Sequence, residues 1–150
     1  MSEDRDALLR HYREMREALL ATIHGLSEAQ LTEPSLDGWS IKDHLAHLAV
    51  WDDLRAGEVT RISAGHASAW SMTNEQAEAY NAMAYAGRRE LSLAQVRWEL
   101  ETSRARLVDA IAGATPRGLD PSRYGDAALR STHEAEHTGW IRRWRSERGV

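Results

Sequence analysis

The 150-residue sequence contains no cysteine, and this absence excludes three kinds of chemistry at once. No disulfide bond can form, no thiolate can hold a metal ion, and no cysteine can act as a nucleophile. If the protein takes part in thiol chemistry, the thiol must therefore come from another molecule.

Long apolar segments are also missing. No stretch reaches the roughly 18 apolar residues that a membrane-spanning helix requires. The first ten residues, MSEDRDALLR, are charged and lack the apolar segment of a signal peptide. We therefore expect a cytoplasmic protein without a membrane partner.

The sequence has no excess of basic residues. It carries 19 Lys and Arg against 23 Asp and Glu, a formal net charge of -4, which argues against a nucleic-acid surface. The one basic cluster, RRWRSER (Arg142–Arg148), is typical of the last turns of a helix, where arginines complement the helix dipole. We expect no nucleic-acid partner and a small molecule as the substrate.

Helical periodicity runs through most of the chain. Serine followed three residues later by Gln or Asp is the capping pattern that begins helices, and it occurs at Ser27, Ser40 and Ser92. The first segment shows the apolar spacing of one helical face. That face consists of Leu8, Tyr12, Met15, Leu19 and Ile23.

These patterns predict an all-α protein, residues 1–150 forming a single four-helix bundle domain. The first helix ends at Gly25, and the second runs from Ser40 to about Ser63. A long crossover follows, with a loop over Ala64–Thr73 and an extra short helix over Asn74–Ala86. The other two main helices are predicted from Ser92 to about Gly113 and from Ala127 to Ser146, separated by a loop rich in Pro and Gly.

Two histidines stand four residues apart in the stretch STHEAEHTGW. Residues at this spacing lie on the same face of a helix, about 6 Å apart along its axis. His133 and His137 share their predicted stripe with Leu129 and Trp144, so both imidazoles are expected to point toward the core.

A second pair, HLAH, lies on the second helix. His44 falls inside the apolar arc of that helix and His47 at its edge. Neutral imidazole is the commonest protein ligand for zinc, nickel and similar divalent ions. Two alternatives follow from the spacing: hydrogen-bonded histidines in the core, or three histidine ligands with positions left open for water or substrate.

The stretches DGWSIKDHLAHLAVW and HEAEHTGWI together resemble the DinB-like superfamily over nearly the whole chain. The resemblance implies a stand-alone four-helix bundle of up-down-down-up topology that binds a divalent ion, usually zinc or nickel. It assigns the ligands to His47, His133 and His137, and leaves His44 as a residue that packs beside them or supports a ligand.

The resemblance implies several activities and assigns no catalytic residue. Some relatives are transferases that use an external low-molecular-weight thiol, and others resemble hydrolases, in which Glu134 or Glu136 would be the candidate base. A relative that attacks a strained ring electrophile suggests detoxification. The alternative is a non-catalytic, stress-linked helical module, and a homodimer is possible in either case.

Several further residues are candidates for the surroundings of the ion. His44, Trp51, Glu136 and Trp140 are expected to line a pocket or to contact the ligands. Trp39 and Trp70 are expected to be ordinary packing residues and Asn81 to be solvated on a helix surface. The remaining histidines, His11, His24 and His66, receive no role.

Overall fold

The computed structural model describes all 150 residues and contains six α-helices and one short 3-10 helix. The only β-type contact is an isolated bridge between Leu36 and Trp39. The all-α prediction is therefore confirmed. The helices are α1 (Arg5–Ile23), α2 (Glu28–Thr32), α3 (Ile41–Ser63), α4 (Asn74–Arg88), α5 (Leu93–Ala112) and α6 (His133–Arg148), with the 3-10 helix at Pro121–Arg123.

Capping boxes set the beginnings of four helices. At α3 the Ser40 hydroxyl accepts a hydrogen bond from the Asp43 backbone N–H at 3.1 Å, and Asp43 accepts one from the Ser40 N–H at 2.9 Å. The same reciprocal pair caps α2, α4 and α5. These bonds satisfy backbone donors that have no partner within a helix, so the sequence predictions at Ser27, Ser40 and Ser92 are confirmed.

The core lies around α3, which is buried along most of its length. Its most extensive contact is with α5, while α1 packs mainly on α6, and α4 packs on the side of α3. One large apolar cluster holds Leu19, Leu45 and Ile141, and a second holds Leu8, Val59 and Leu107. No helix combines the length and the apolar character needed to cross a membrane.

The last helix begins at His133, so its predicted start at Ala127 is wrong. Residues 128–131 are not helical, and the carbonyl groups of Ala128, Leu129 and Ser131 instead contact distant side chains. Arg55 Nε donates to the Ala128 carbonyl at 2.7 Å, and the Tyr12 hydroxyl donates to that of Leu129. Leu129 is buried, but as part of this segment and not of the α6 stripe.

A buried ionic cluster joins α1, α3 and α5 to the first turn of α6. We define it as Arg16, Asp52, Arg55, Arg104 and Glu134. Glu134 accepts hydrogen bonds from Arg16 at 2.9 Å and Arg104 at 2.6 Å. Asp52 accepts from Arg16 at 3.1 Å and Arg104 at 3.0 Å, and Arg55 lies 3.7 Å away. These bonds fix the part of α6 that carries His133.

The crossover between α3 and α4 is tied to α3 through a fully buried carboxylate. Glu58, which is 0% exposed, accepts hydrogen bonds from the Ala69 backbone at 2.9 Å, from Arg61 at 2.8 Å and from the Ser68 hydroxyl. A buried charge with this many donors stabilises one loop conformation. The crossover thereby holds α4 against the side of α3.

Candidate metal centre

Three imidazole nitrogens converge between α3 and α6. His47 Nε2 lies 3.0 Å from His133 Nε2, which in turn lies 3.0 Å from His137 Nε2. We call His47, His133 and His137 the histidine triad. His137 is buried, and the other two are partly buried. The helical spacing of α6 stacks its two rings, and α3 supplies the third from the facing side.

The triad is neutral at physiological pH. Burial lowers the pKa of His47 to about 3, of His133 to about 4 and of His137 to about 2. For His47 and His137 the neighbouring imidazoles lower the pKa further, because adjacent positive charges would repel each other. Each ring therefore keeps a free lone pair, which is the form that binds a metal ion.

The donor set fits a divalent cation. One ring nitrogen offers a single proton or a single lone pair, so His133 Nε2 cannot make a good hydrogen bond to both of its neighbours. A cation between the rings would instead be bound by all three lone pairs. Two nitrogens held at about 2.0–2.1 Å from one zinc ion in tetrahedral geometry lie about 3.3 Å apart. Two separations in the triad are 3.0 Å, and all three ligand atoms lie within 4.8 Å of one another.

His44 contacts the triad through His137. Its Nδ1 lies 2.7 Å from His137 Nδ1, while its Nε2 is buried without a hydrogen-bond partner. If His137 Nε2 is to bind an ion, the ring proton of His137 must be on Nδ1, which then donates a hydrogen bond to His44 Nδ1. This tautomer places the proton of His44 on its unpartnered Nε2. His44 therefore orients His137 in the way that a carbonyl or carboxylate orients metal-binding histidines elsewhere.

A cavity of about 750 Å³ opens beside the triad, and we call it the histidine cavity. It lies between α6 and the loop that joins α2 to α3. One wall comes from that loop, in which Asp37 and Gly38 have positive φ angles of 53° and 89° and make a tight turn. Its lining residues are Ser35, Leu36, Asp37, Trp39, His44, His47, His133, Glu136, His137, Trp140, Arg143, Trp144 and Glu147.

Four residues were predicted to surround the ion, and three of them line the histidine cavity. His44, Glu136 and Trp140 line the histidine cavity, with the Trp140 ring 4.7 Å from that of His137. Trp51 lies outside the cavity, where its ring centroid is 6.1 Å from that of His133. Trp51 therefore packs on a triad member from the α4 side.

Trp39 and Asn81 make more specific contacts than the sequence predicted. Trp39, expected as a packing residue, lines the cavity and stacks on Tyr85 of α4 with an interplanar angle of 3°. Asn81 is not simply solvated, because its Oδ1 accepts a hydrogen bond from Trp51 Nε1 at 2.9 Å. Trp70 does remain a packing residue, with its ring centroid 5.4 Å from that of Tyr80.

The two glutamates of α6 have different environments. Glu134 is 4% exposed, is engaged by two arginines of the buried ionic cluster and does not line the histidine cavity. Glu136 is exposed and lines the histidine cavity. Of the two candidate bases named from the sequence, only Glu136 therefore faces the site.

Some contacts were not foreseen from the sequence. His11, to which no role was given, has its Nε2 2.7 Å from the Ser131 carbonyl and so helps to hold the segment before α6. Arg143, to which no role at the site was given, also lines the cavity, as does Trp144, which was predicted on the stripe of His133 and His137. The spacing of seven residues places Trp144 on the helix face of His137, whereas Arg143, six residues on, lies about 120° away around the helix.

The other arginines of the basic tail make structural contacts. Arg145 donates to the Thr22 and His24 carbonyls at 2.8 and 2.6 Å, and so caps the C-terminal end of α1. Arg148 binds Glu33 through both carboxylate oxygens at 3.0 and 2.8 Å. The tail therefore joins α6 to α1 and to the end of α2.

Comparisons with known proteins bear on the fold and on the family of the chain. The structure is similar to that of an uncharacterised protein from Escherichia coli UTI89, with a TM-score of 0.78 over 97% of this chain and 95% of that one. The sequence identity of 17% limits this likeness to the fold. No protein with a curated description matches the chain. The sequence model of the DinB superfamily matches residues 11–141, so the chain belongs to that superfamily.

Proposed function

We propose that the protein is a divalent-metal-dependent enzyme that acts on a small electrophilic molecule. The observation that carries the proposal is the convergence of three neutral imidazoles at one end of a cavity of about 750 Å³. The cavity is large enough for a small organic substrate, since ligand pockets commonly measure about 300–1,000 Å³. Zinc and nickel are the ions that we expect, because all three ligands are imidazoles.

The bound ion would act as a Lewis acid and would lower the pKa of a thiol or a water molecule that it holds. The surrounding residues have separate tasks. His44 holds the ring of His137 in the tautomer that binds the ion. Glu136, exposed on the cavity wall, is placed to accept the proton that the nucleophile loses.

If the nucleophile is a thiol, it comes from outside the chain, because the protein has no cysteine. An external low-molecular-weight thiol would make the protein a transferase, and water would make it a hydrolase. Leu36 and the indole rings of Trp39, Trp140 and Trp144 form the apolar part of the cavity wall and exclude water from the organic part of the substrate. Both reaction classes use this same arrangement.

Metal analysis of the purified protein tests the proposal. After dialysis against zinc and then against metal-free buffer, the wild-type protein should retain about one ion per chain, as one three-ligand site implies. The His47→Ala, His133→Ala and His137→Ala variants should retain much less. His24→Ala is the matched control, because His24 is exposed at the end of α1 and lies outside the triad.

Two outcomes would contradict the proposal. One is a wild-type protein that holds no more metal than His137→Ala while circular dichroism shows that both are folded. The other is equal metal loss in His24→Ala. A folded, metal-free dimer would instead favour the non-catalytic helical module that the sequence left as the alternative.

A further inference from the structure

The lining of the histidine cavity contains more acidic than basic side chains. Three carboxylates line it, Asp37 on the loop and Glu136 and Glu147 on α6, against the single guanidinium of Arg143. The formal charges of these side chains sum to -2, so the wall of the cavity is acidic, and a divalent ion at the triad would bring the whole site to about zero. The inference drawn below rests on the proposed function and specifies the class of substrate for the same site.

These four charges are not used to hold the fold together. None of them takes part in an ion pair or a side-chain hydrogen bond within the chain, although the adjacent arginines of α6 do. All four side chains are exposed at the cavity wall. Their interactions are therefore available to a bound molecule.

An exposed indole lies between the carboxylates of α6. Trp140 is 43% exposed, which is unusual for so large an apolar side chain, and it follows Glu136 by one helical turn. A carboxylate and an indole at this spacing lie on the same helix face. An indole face attracts a cation, and a nearby carboxylate adds to that attraction.

The other two indoles of the cavity are partly occupied by the protein. Trp39 has one face stacked on Tyr85, and the Arg148 guanidinium carbon lies 5.3 Å from the centre of the Trp144 ring. Trp140 has no such stacked partner, since its ring contacts with His44 and His137 are edge-on. It is therefore the indole with most surface free for a ligand.

From these contacts we infer that the histidine cavity selects an organic cation: a molecule whose reactive end binds at the triad and whose apolar body carries an amine or quaternary ammonium group. Glu136 immediately precedes His137, so a cationic group can lie one helical turn from the triad, beside Trp140. A carboxylate that lies beside Glu136 and Glu147, away from the ion, is repelled by the same wall.

Three hydroxamic acids on the same benzene ring test the inference, because the hydroxamate group binds zinc whatever lies at the other end of the molecule. They are benzohydroxamic acids with trimethylammonium, tert-butyl or carboxylate at the para position. Tert-butyl is the neutral isostere of trimethylammonium. Calorimetric titration of the zinc-loaded protein at low salt gives each dissociation constant.

We expect the trimethylammonium compound to bind about tenfold more tightly than the carboxylate, with the tert-butyl compound between them. The preference should shrink to about twofold at 0.5 M salt, because exposed charges are screened. The double variant Asp37→Asn, Glu136→Gln should abolish most of it. Asn tolerates the positive φ of residue 37, so the tight turn is preserved.

Glu14→Gln is the matched control, since Glu14 is exposed on α1 and does not line the cavity. It should leave the order of affinities unchanged. Equal affinities for the trimethylammonium and tert-butyl compounds, or tighter binding of the carboxylate, would overturn the inference while leaving the metal centre intact. If no hydroxamate shows binding that requires zinc, the proposed function fails and the inference fails with it.

Discussion

Replacing Asp52 by Asn should destabilise the protein strongly, because Asp52 is the central anion of the buried ionic cluster. Its side chain is 4% exposed and accepts hydrogen bonds from Arg16 and Arg104, with Arg55 also within 4 Å. The variant keeps the size of the side chain but leaves three guanidinium groups with Glu134 as their only anion. Each arginine then loses charge compensation that it cannot regain from water.

The expected cost is about 3–5 kcal/mol, the usual effect of removing one partner from a buried ion pair. For a chain of 150–250 residues each kcal/mol lowers Tm by about 2–4 °C, so the midpoint should fall by about 6–20 °C. Urea and thermal unfolding, followed by circular dichroism on metal-free protein, measure both quantities. The loss should depend little on salt, because the pairs are buried.

Asp53→Asn is the matched control on the same helix. Asp53 is 46% exposed and pairs with Arg106, which is 56% exposed. An exposed pair contributes at most about 1 kcal/mol, so this variant should unfold close to the wild type. If Asp52→Asn cost no more than Asp53→Asn, the cluster would not hold α6 in place as we describe.

Three further predictions concern acidity, the support of the triad and backbone packing. Below pH 6.5 the metal-free protein should lose stability, because the pKa values of His44 and His137 fall to about 4 and about 2 in the folded state, so that the unfolded chain binds more protons. Between pH 7 and pH 5 the protonation of each of these histidines in the unfolded chain lowers the free energy of unfolding by about 2 kcal/mol. Urea titrations showing equal stability at both pH values would contradict this. His44→Leu should weaken zinc binding about 10–100-fold in a chelator competition, since it removes the acceptor that orients His137; an unchanged affinity would show that His44 only packs. Gly125→Ala should destabilise the protein, because a Cβ there would lie 2.1 Å from the Trp70 carbonyl oxygen, whereas Gly139→Ala, with nothing within 4 Å, should stabilise α6 by about 1 kcal/mol. Thermal unfolding of the two variants should give shifts of opposite sign.

Local signals in the sequence were sufficient for most of the helices. The capping pairs at Ser40 and Ser92 depend on residues three positions apart, so they can be recognised without tertiary information. The spacing of His133 and His137 likewise determines that they share a helix face. The choice of His47 over His44 as the third member came from the resemblance to the family, since the wheel position alone favoured His44 as the more buried residue.

Features that depend on distant residues could not be predicted. The α6 helix begins at His133, and Tyr12 and Arg55, from α1 and α3, contact the carbonyl groups of the residues before it. Glu134 and Glu136 are two positions apart in sequence, yet one is buried among arginines and the other lines the cavity. Periodicity shows which face a residue occupies, but not which side chains another helix presents to that face.

The measurement that tests the central claim most directly is a crystal structure of the zinc-soaked protein with anomalous data collected at the zinc edge. The account predicts one anomalous peak at about 2.0–2.1 Å from the Nε2 atoms of His47, His133 and His137, opening on the histidine cavity. His44 should lie outside the coordination shell, with its Nδ1 still beside that of His137. No peak between the three rings, or a peak coordinated by His44 in place of His47, would contradict the account.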